Sequence, residues 1–226
     1  RKTFFYLAGF NKKIMDYLSN LFIKTFKLNY SKFDIYDLRY IKAKSFLKSQ
    51  KLKSDLYNVF DLKNNYNSCK SIYNFHYLNE NRLIYDDIII VEVGAGLGNI
   101  PLLIANKYKK FTYYIIDLPE MIVHASRNIK KYVPDAHIIF PNEEININPE
   151  IEKKFIFRTN NNFNSLEINE SVDLFINIES FAEMPVDVVN NYLKFAFKTL
   201  KIGGHIYSNN RESRIVTDKI EKINCF

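Results

Sequence analysis

The sequence has 226 residues, of which 47% are hydrophobic and 15% aromatic, and this composition excludes a chain that is disordered along most of its length. The net charge of +7 comes mostly from scattered lysines, with few arginines, so no nucleic-acid partner is predicted. No run approaches the roughly 20 apolar residues that span a membrane, and two distant cysteines without metal-ligand spacing favour a cytoplasmic protein.

Residues 1–84 predict a helical N-terminal cap that packs beside an α/β core and closes over its ligand. This segment contains no proline and no convincing strand pattern. Apolar residues at three- and four-residue spacing predict helices over residues 14–26 and 34–52. The asparagine-rich residues 64–68 predict a loop, and a short helix or turn over residues 73–77 leads to the first strand.

Residues 85–226 alternate strand and helix patterns, which predicts a doubly wound, mostly parallel sheet with helices on both faces. Residues 141–169 are polar and predict mostly a loop, with one short strand at 155–157. No strand is recognisable after Arg211, so we expect a domain that is truncated there. The predicted strands are 88–93, 112–117, 136–140, 171–177 and 205–209, and the predicted helices are 99–109, 118–132 and 186–200, the last of them ended by Gly203 and Gly204.

The stretch IIIVEVGAGLG at residues 88–98 predicts a buried strand followed by a tight turn with three glycines at alternate positions. A side chain at Gly94 or Gly96 would prevent a ligand from lying against the backbone. Asp117 ends the next strand, where a carboxylate can accept hydrogen bonds from both hydroxyls of a ribose. Together these features predict an adenosine-containing ligand, although a glycine turn without a ligand and a capping aspartate are the alternatives.

The glycine spacing distinguishes between adenosine cofactors. Dinucleotide folds carry G-x-G-x-x-G, whose turn opens for a pyrophosphate, whereas here the spacing is G-x-G-x-G with Glu92 before it. S-adenosylmethionine (SAM) has no pyrophosphate, and its cationic groups are attracted by an acid that would repel a phosphate. We therefore predict SAM as the cofactor and no metal. The predicted cofactor-binding residues are Glu92, Gly94, Ala95, Gly96, Gly98, Asp117, Leu118 and Asn177.

Four motifs resemble the sugar O-methyltransferases of bacterial surface-polysaccharide and glycan clusters, which are class I SAM-dependent enzymes. They are EVGAGLG at 92–98, IDLPE at 116–120, NIESFAEM at 177–184 and SNNR at 208–211. The resemblance covers about residues 85–211 and implies a Rossmann-like fold and methyl transfer to a hydroxyl of a sugar or glycan precursor. The alternatives are a small-molecule or natural-product O-methyltransferase and a catalytically inactive methyltransferase-fold binding module, while the glycine spacing disfavours an NAD-dependent enzyme.

A sugar hydroxyl is a poor nucleophile, so methyl transfer to it requires a general base or a metal. Glu183, in the loop after the fourth predicted strand, is our first candidate base, with a helix-start carboxylate as the alternative role. Glu179 is the second candidate and His76, in the cap, the third. Residues 209–211 follow the fifth predicted strand and are candidates for binding sugar hydroxyls, or form a polar turn.

Overall fold

The structure, a computed structural model, describes residues 66–145, 150–166, 168, 170–210, 213–216 and 219–222. The helices predicted over residues 14–26 and 34–52 lie outside the described residues. Within the described ranges, no helix combines the length and the apolar character that crossing a membrane requires.

Helices and strands alternate through the first three strands of the described chain. The helices are α1 (Tyr66–Glu80), α2 (Asn99–Lys107), α3 (Pro119–Tyr132) and α4 (Val186–Thr199), with 3-10 helices at Phe163–Ser165 and Ser180–Glu183. The strands are β1 (Ile88–Val93), β2 (Phe111–Asp117), β3 (His137–Ile139), β4 (Lys153–Thr159), β5 (Val172–Ile178), β6 (Leu200–Asn209), β7 (Ser213–Val216) and β8 (Lys219–Lys222).

Six strands form one parallel sheet in the order β3-β4-β2-β1-β5-β6. The chain adds β2, β3 and β4 on one side of β1 and then crosses to add β5 and β6 on the other side. A crevice forms at the carboxyl ends of the strands where such a reversal occurs, and open α/β sheets bind their ligands there. The predicted fold class, a doubly wound parallel sheet of the Rossmann-like type, is confirmed.

Apolar residues cover both faces of the sheet, which is why β1, β2 and β5 are near-continuous hydrophobic runs. One face packs against α1, α2 and α3, and the other packs against α4 and the two 3-10 helices. Among the fully buried side chains, Ile90, Tyr113 and Phe155 lie in the core on the first face of the sheet. Val91, Phe175 and Tyr192 lie in the core on the second face.

Helix α1 is longer than predicted and replaces part of the predicted loop at 64–68. Its residues Ile72, Phe75 and Leu78 recur at helical spacing and are buried in the same core cluster as β1 and α2. The described end of the N-terminal segment therefore shares the core of the α/β sheet. The division of the chain at residue 84 stays a prediction.

The strand predicted at 155–157 is present but was predicted too short, because β4 is a seven-residue strand between β2 and β3. Its sequence KKFIFRT has only three consecutive apolar residues, yet Lys154 and Arg158 are both buried. The Arg158 guanidinium donates hydrogen bonds to the carbonyls of Phe140, Phe157 and Glu143, which satisfies a charged group inside the fold.

The end of the described chain corrects two further expectations. Helix α4 ends at Thr199, and Gly203 and Gly204 lie within β6 beside a register irregularity against β5. A Cβ at Gly204 would approach the Val172 carbonyl to 2.9 Å, so this position needs glycine for strand packing. After residue 211 the chain forms β7 and β8, which pair as an antiparallel hairpin where no strand was predicted.

Candidate functional site

The glycine turn after β1 lies at the carboxyl end of the central strand. The amide of Gly94 donates to the Ile116 carbonyl at 2.9 Å, which ties the start of the turn to β2. Gly94 and Gly96 have φ values of 78° and 59°, a left-handed conformation that glycine adopts without strain. Gly98 directly precedes α2, so the turn also sets the orientation of the first backbone amides of that helix.

Gly94 and Gly96 lack side chains for different reasons. A Cβ on Gly94 would lie 2.3 Å from the Ser180 Oγ, so the loop after β5 already fills that space. Among the described residues, a Cβ on Gly96 would have one neighbour within contact range, the Met121 Cε at 4.0 Å. The open side of the turn is therefore at Gly96, and the approach of a ligand to the backbone there stays a prediction.

Asp117 faces this open side from the tip of β2. Its Oδ2 accepts a hydrogen bond from the Gly96 amide at 2.8 Å, and its Oδ1 accepts one from the Leu118 amide at 2.8 Å. Burial raises the pKa of Asp117, and the two backbone donors oppose that rise. Each carboxylate oxygen retains acceptor capacity, so the group can also receive hydrogen bonds from ligand hydroxyls.

Glu92 lies in β1 directly before the turn and is only 2% exposed. The Tyr113 hydroxyl donates to its Oε2 at 2.8 Å. Burial is the main cause that raises the pKa of Glu92 to about 8, and nearby Asp117 adds to the rise. Burial therefore favours the neutral form of Glu92, and the attraction of its charged form for a cationic ligand stays a prediction.

Asn177, at the end of β5, connects the glycine turn to the loop that follows. Its Nδ2 donates to the Val93 carbonyl at 2.9 Å, and its Oδ1 accepts from the Phe181 amide and from the Nδ2 of Asn210. Asn177 is fully buried, so these contacts hold the loop against the turn. Its direct contact with a cofactor stays a prediction.

The three predicted catalytic residues lie in different surroundings. Glu183 is exposed at the end of the second 3-10 helix. His76 lies on α1 with its Nε2 3.0 Å from the Oε1 of Glu80. Glu179 is more enclosed than Glu183, and its Oε2 lies 3.6 Å from the Lys70 Nζ of α1. The structure thus brings Glu179, and not Glu183, to the junction of α1 with the sheet.

Sequence reasoning missed the polar face of α1, formed by Lys70, Ser71, Asn74 and Tyr77. Asn74 is fully buried, and its Oδ1 accepts hydrogen bonds from the Tyr207 hydroxyl and the Asn209 Nδ2, each at 2.6 Å. The signal that could have found this face was the helical spacing of these polar residues beside the apolar stripe at 72, 75 and 78. Among the described residues, no group of three or more His, Cys, Asp or Glu side chains is arranged to hold a metal.

No protein-family model matches the sequence, and no curated protein matches it. Solved structures match it over part of its length, and three of them illustrate the likeness, each matched over less than two thirds of its own length. One is a proposed methyltransferase from Bacillus halodurans C-125, at 13% identity and a TM-score of 0.45, covering 62% of this chain and 52% of that chain. The second is a precorrin-6y C5,15-methyltransferase from Geobacter metallireducens GS-15 (14% identity, TM-score 0.41, 66% and 63% covered). The third is an arsenic(III) S-adenosylmethionine methyltransferase from Chlamydomonas reinhardtii, at 17% identity and a TM-score of 0.38, covering 55% of this chain and 40% of that chain.

Proposed function

We propose that this chain is a SAM-dependent O-methyltransferase that acts on a hydroxyl of a sugar or glycan precursor. The observation that carries the proposal is the contact between the Gly96 amide and the Asp117 carboxylate. It joins an open stretch of backbone at Gly96 to an acceptor for ribose hydroxyls, at the carboxyl edge where this class of sheet binds ligands. The exposed side chain of Leu118 provides an apolar surface beside that acceptor.

The residues at the turn fit an adenosine group, and each has a distinct task. Gly96 lets the ligand approach the backbone, and Asp117 orients the ribose. Ser180 and Asn177 hold the loop after β5 against the turn through the Val93 carbonyl. When bound, SAM supplies a methyl group activated on a sulfonium. The protein's contribution is to align the acceptor oxygen with that methyl and to exclude water.

A sugar acceptor is supported by the four sequence motifs and by polar groups at the carboxyl ends of β5 and β6. Asn209 is partly exposed at the end of β6, beside α1. Asn210, in contrast, is buried and donates to Asn177 and Ser208, so we assign it to holding the loop. The same groups suit other small hydroxylated molecules, so a natural-product O-methyltransferase is the second candidate. A binding module without catalysis is the third.

Calorimetry with SAM, S-adenosylhomocysteine and NAD tests the cofactor. We expect the first two to bind and NAD not to bind. Asp117→Ala should lower the affinity for S-adenosylhomocysteine by about 10- to 150-fold, because charge-assisted hydrogen bonds contribute about 1.5 to 3 kcal/mol. Glu120→Ala, which removes an exposed carboxylate in the first turn of α3, is the matched control. Unchanged affinity in folded Asp117→Ala protein would remove Asp117 from the site.

Methyl transfer from labelled SAM to a panel of free sugars, nucleotide sugars and small phenols tests the acceptor. Turnover with sugars supports the proposal, and turnover restricted to phenols favours the natural-product alternative. SAM binding without turnover on any member favours the binding module.

A further inference from the structure

We infer that Lys70 and Glu179 form the proton-accepting pair of this site, with Glu179 as the base and Lys70 as the residue that positions its carboxylate. The inference rests on the proposed methyl transfer and deepens it, because it makes helix α1 part of the catalytic machinery. Glu179, and not the exposed Glu183, is then the general base.

The first observation is the enclosure of the ion pair. The Lys70 and Glu179 side chains are 12% and 16% exposed, and their Nζ and Oε2 atoms lie 3.6 Å apart. In the Lys110–Asp87 pair, at the opposite end of the sheet, the same fractions are 44% and 71%. Water screens an enclosed ion pair less than an exposed one. The Lys70 ammonium therefore attracts the Glu179 carboxylate more strongly and fixes its orientation.

The second observation is the backbone at Glu179, which has a φ of 67°. A residue with a side chain adopts this left-handed conformation at a cost, and such residues occur often at functional sites. The Glu179 amide donates to the Asn209 carbonyl at 3.0 Å, and the next residue, Ser180, packs against Gly94. The carboxylate is therefore attached to backbone that is fixed beside the glycine turn.

The third observation is how α1 is anchored. The Asn74 Nδ2 donates to the Lys70 carbonyl at 2.7 Å, while the Asn74 Oδ1 accepts from Tyr207 and Asn209 of β6. The ring of Tyr77 stacks on that of Tyr207, with centroids 5.4 Å apart. These contacts join the polar face of α1 to the end of β6, so Lys70 has a defined position relative to Glu179.

The chemistry follows from these positions. The acceptor oxygen forms a bond to the methyl carbon, and the sulfur keeps the electron pair of the broken carbon–sulfur bond. The hydroxyl proton passes to the carboxylate of Glu179, which Lys70 directs toward the acceptor. Charge is balanced because the cationic sulfonium becomes a neutral thioether as the carboxylate becomes a neutral acid.

Sinefungin tests the pair without an acceptor, because it carries an amine where SAM carries the methyl group. The measured quantity is the preference for sinefungin over S-adenosylhomocysteine, as a ratio of dissociation constants. We expect Glu179→Gln to lower this preference about fivefold or more, since a charge pair at the methyl position is lost. Glu179→Gly, which suits a positive φ, should do the same and provides a second variant if the first does not fold.

Lys70→Met should raise the preference by a similar factor, because the ligand amine then replaces the missing ammonium beside Glu179. Lys70→Arg and the exposed-site control Asp187→Asn should stay within about twofold of wild type. The pair is overturned if the Glu179 and Lys70→Met variants leave the preference unchanged, or if Glu183→Gln abolishes it instead. Failure of wild type to bind either ligand would overturn the proposed function itself, which is a different result.

Discussion

Glu92 illustrates how a residue can be correctly located by its motif and yet behave differently from its expected chemistry. The sequence places an acid before the glycine turn, and the structure places it there. The pattern cannot reveal that the side chain is enclosed between strands, with the Tyr113 hydroxyl as its hydrogen-bond donor. Its ionisation is therefore set by burial, which depends on the packing of the whole sheet.

A dependence of stability on pH follows from this burial. The pKa of Glu92 rises from an ordinary value of 4.5 to about 8 in the folded state. The folded protein therefore holds this proton more tightly than the unfolded chain does. The resulting stabilisation is complete below about pH 4.5 and is lost as the pH rises through about 8.

Glu92→Gln should remove this dependence, because the amide keeps an acceptor for Tyr113 and does not titrate. We expect the free energy of unfolding of wild type to fall relative to the variant between about pH 4.5 and 8, by at most about 1.4 kcal/mol per pH unit. Denaturant unfolding of both proteins across this range provides the measurement. Parallel curves would show that Glu92 ionises normally in the folded protein.

Other residues show where sequence reasoning succeeds and where it stops. The placement of the glycine turn and Asp117 at one edge was predictable because the turn follows one strand and Asp117 ends the next, and parallel strands bring their carboxyl ends to one edge. Lys70 was not predictable, because its partner Glu179 is distant in the chain and comes close only through the packing of α1 on β6. Local sequence patterns predict where an element lies and where it ends. They do not predict contacts between residues that are distant in the sequence.

At the scale of elements, the buried amide of Asn74 joins helix α1 to strand β6. Asn74→Ala removes three hydrogen bonds and leaves the groups of Tyr207 and Asn209 without this acceptor. We expect a loss of about 2 to 4 kcal/mol in the free energy of unfolding, because unsatisfied buried polar groups add to the lost bonds.

Denaturant unfolding measures this loss. Asn81→Ala, just beyond the same helix, is the matched control. The Asn81 amide is exposed, so this substitution should lower the free energy of unfolding by less than about 1 kcal/mol. Equal stability of wild type and Asn74→Ala would mean that the apolar stripe alone holds α1 to the sheet.

Strand β4 shows why one strand was predicted too short. Its neighbour β2 carries a longer run of apolar and β-branched residues, whereas KKFIFRT presents charged residues near both ends. Lys154 and Arg158 are buried because the chain covers them after folding, which no local hydrophobic pattern indicates. The strand order could not be read from the order along the chain, since β4 follows β3 in the sequence but lies between β3 and β2 in the sheet.

At the scale of the molecule, the two ends of the sheet have different tasks. The carboxyl edge holds the glycine turn, Asp117 and the Lys70–Glu179 pair. At the amino edge, Asp86 accepts from the amides of Lys109 and Lys110, and Asp173 accepts from the Tyr85 hydroxyl and the Ile89 amide. These contacts at the amino edge close loops between elements, so we assign them to stability.

Hydrogen exchange with and without S-adenosylhomocysteine tests this division. We expect binding to slow exchange about tenfold or more in segments 94–98, 117–118 and 178–181, because a ligand that binds only the folded state suppresses local opening there. The loops at residues 85–88 and 108–110 are the internal control and should not change. Protection instead around Asn164, Lys194 and Phe195, which line a small groove of about 210 Å³ beside α4, would place the ligand on the other layer and contradict a carboxyl-edge site.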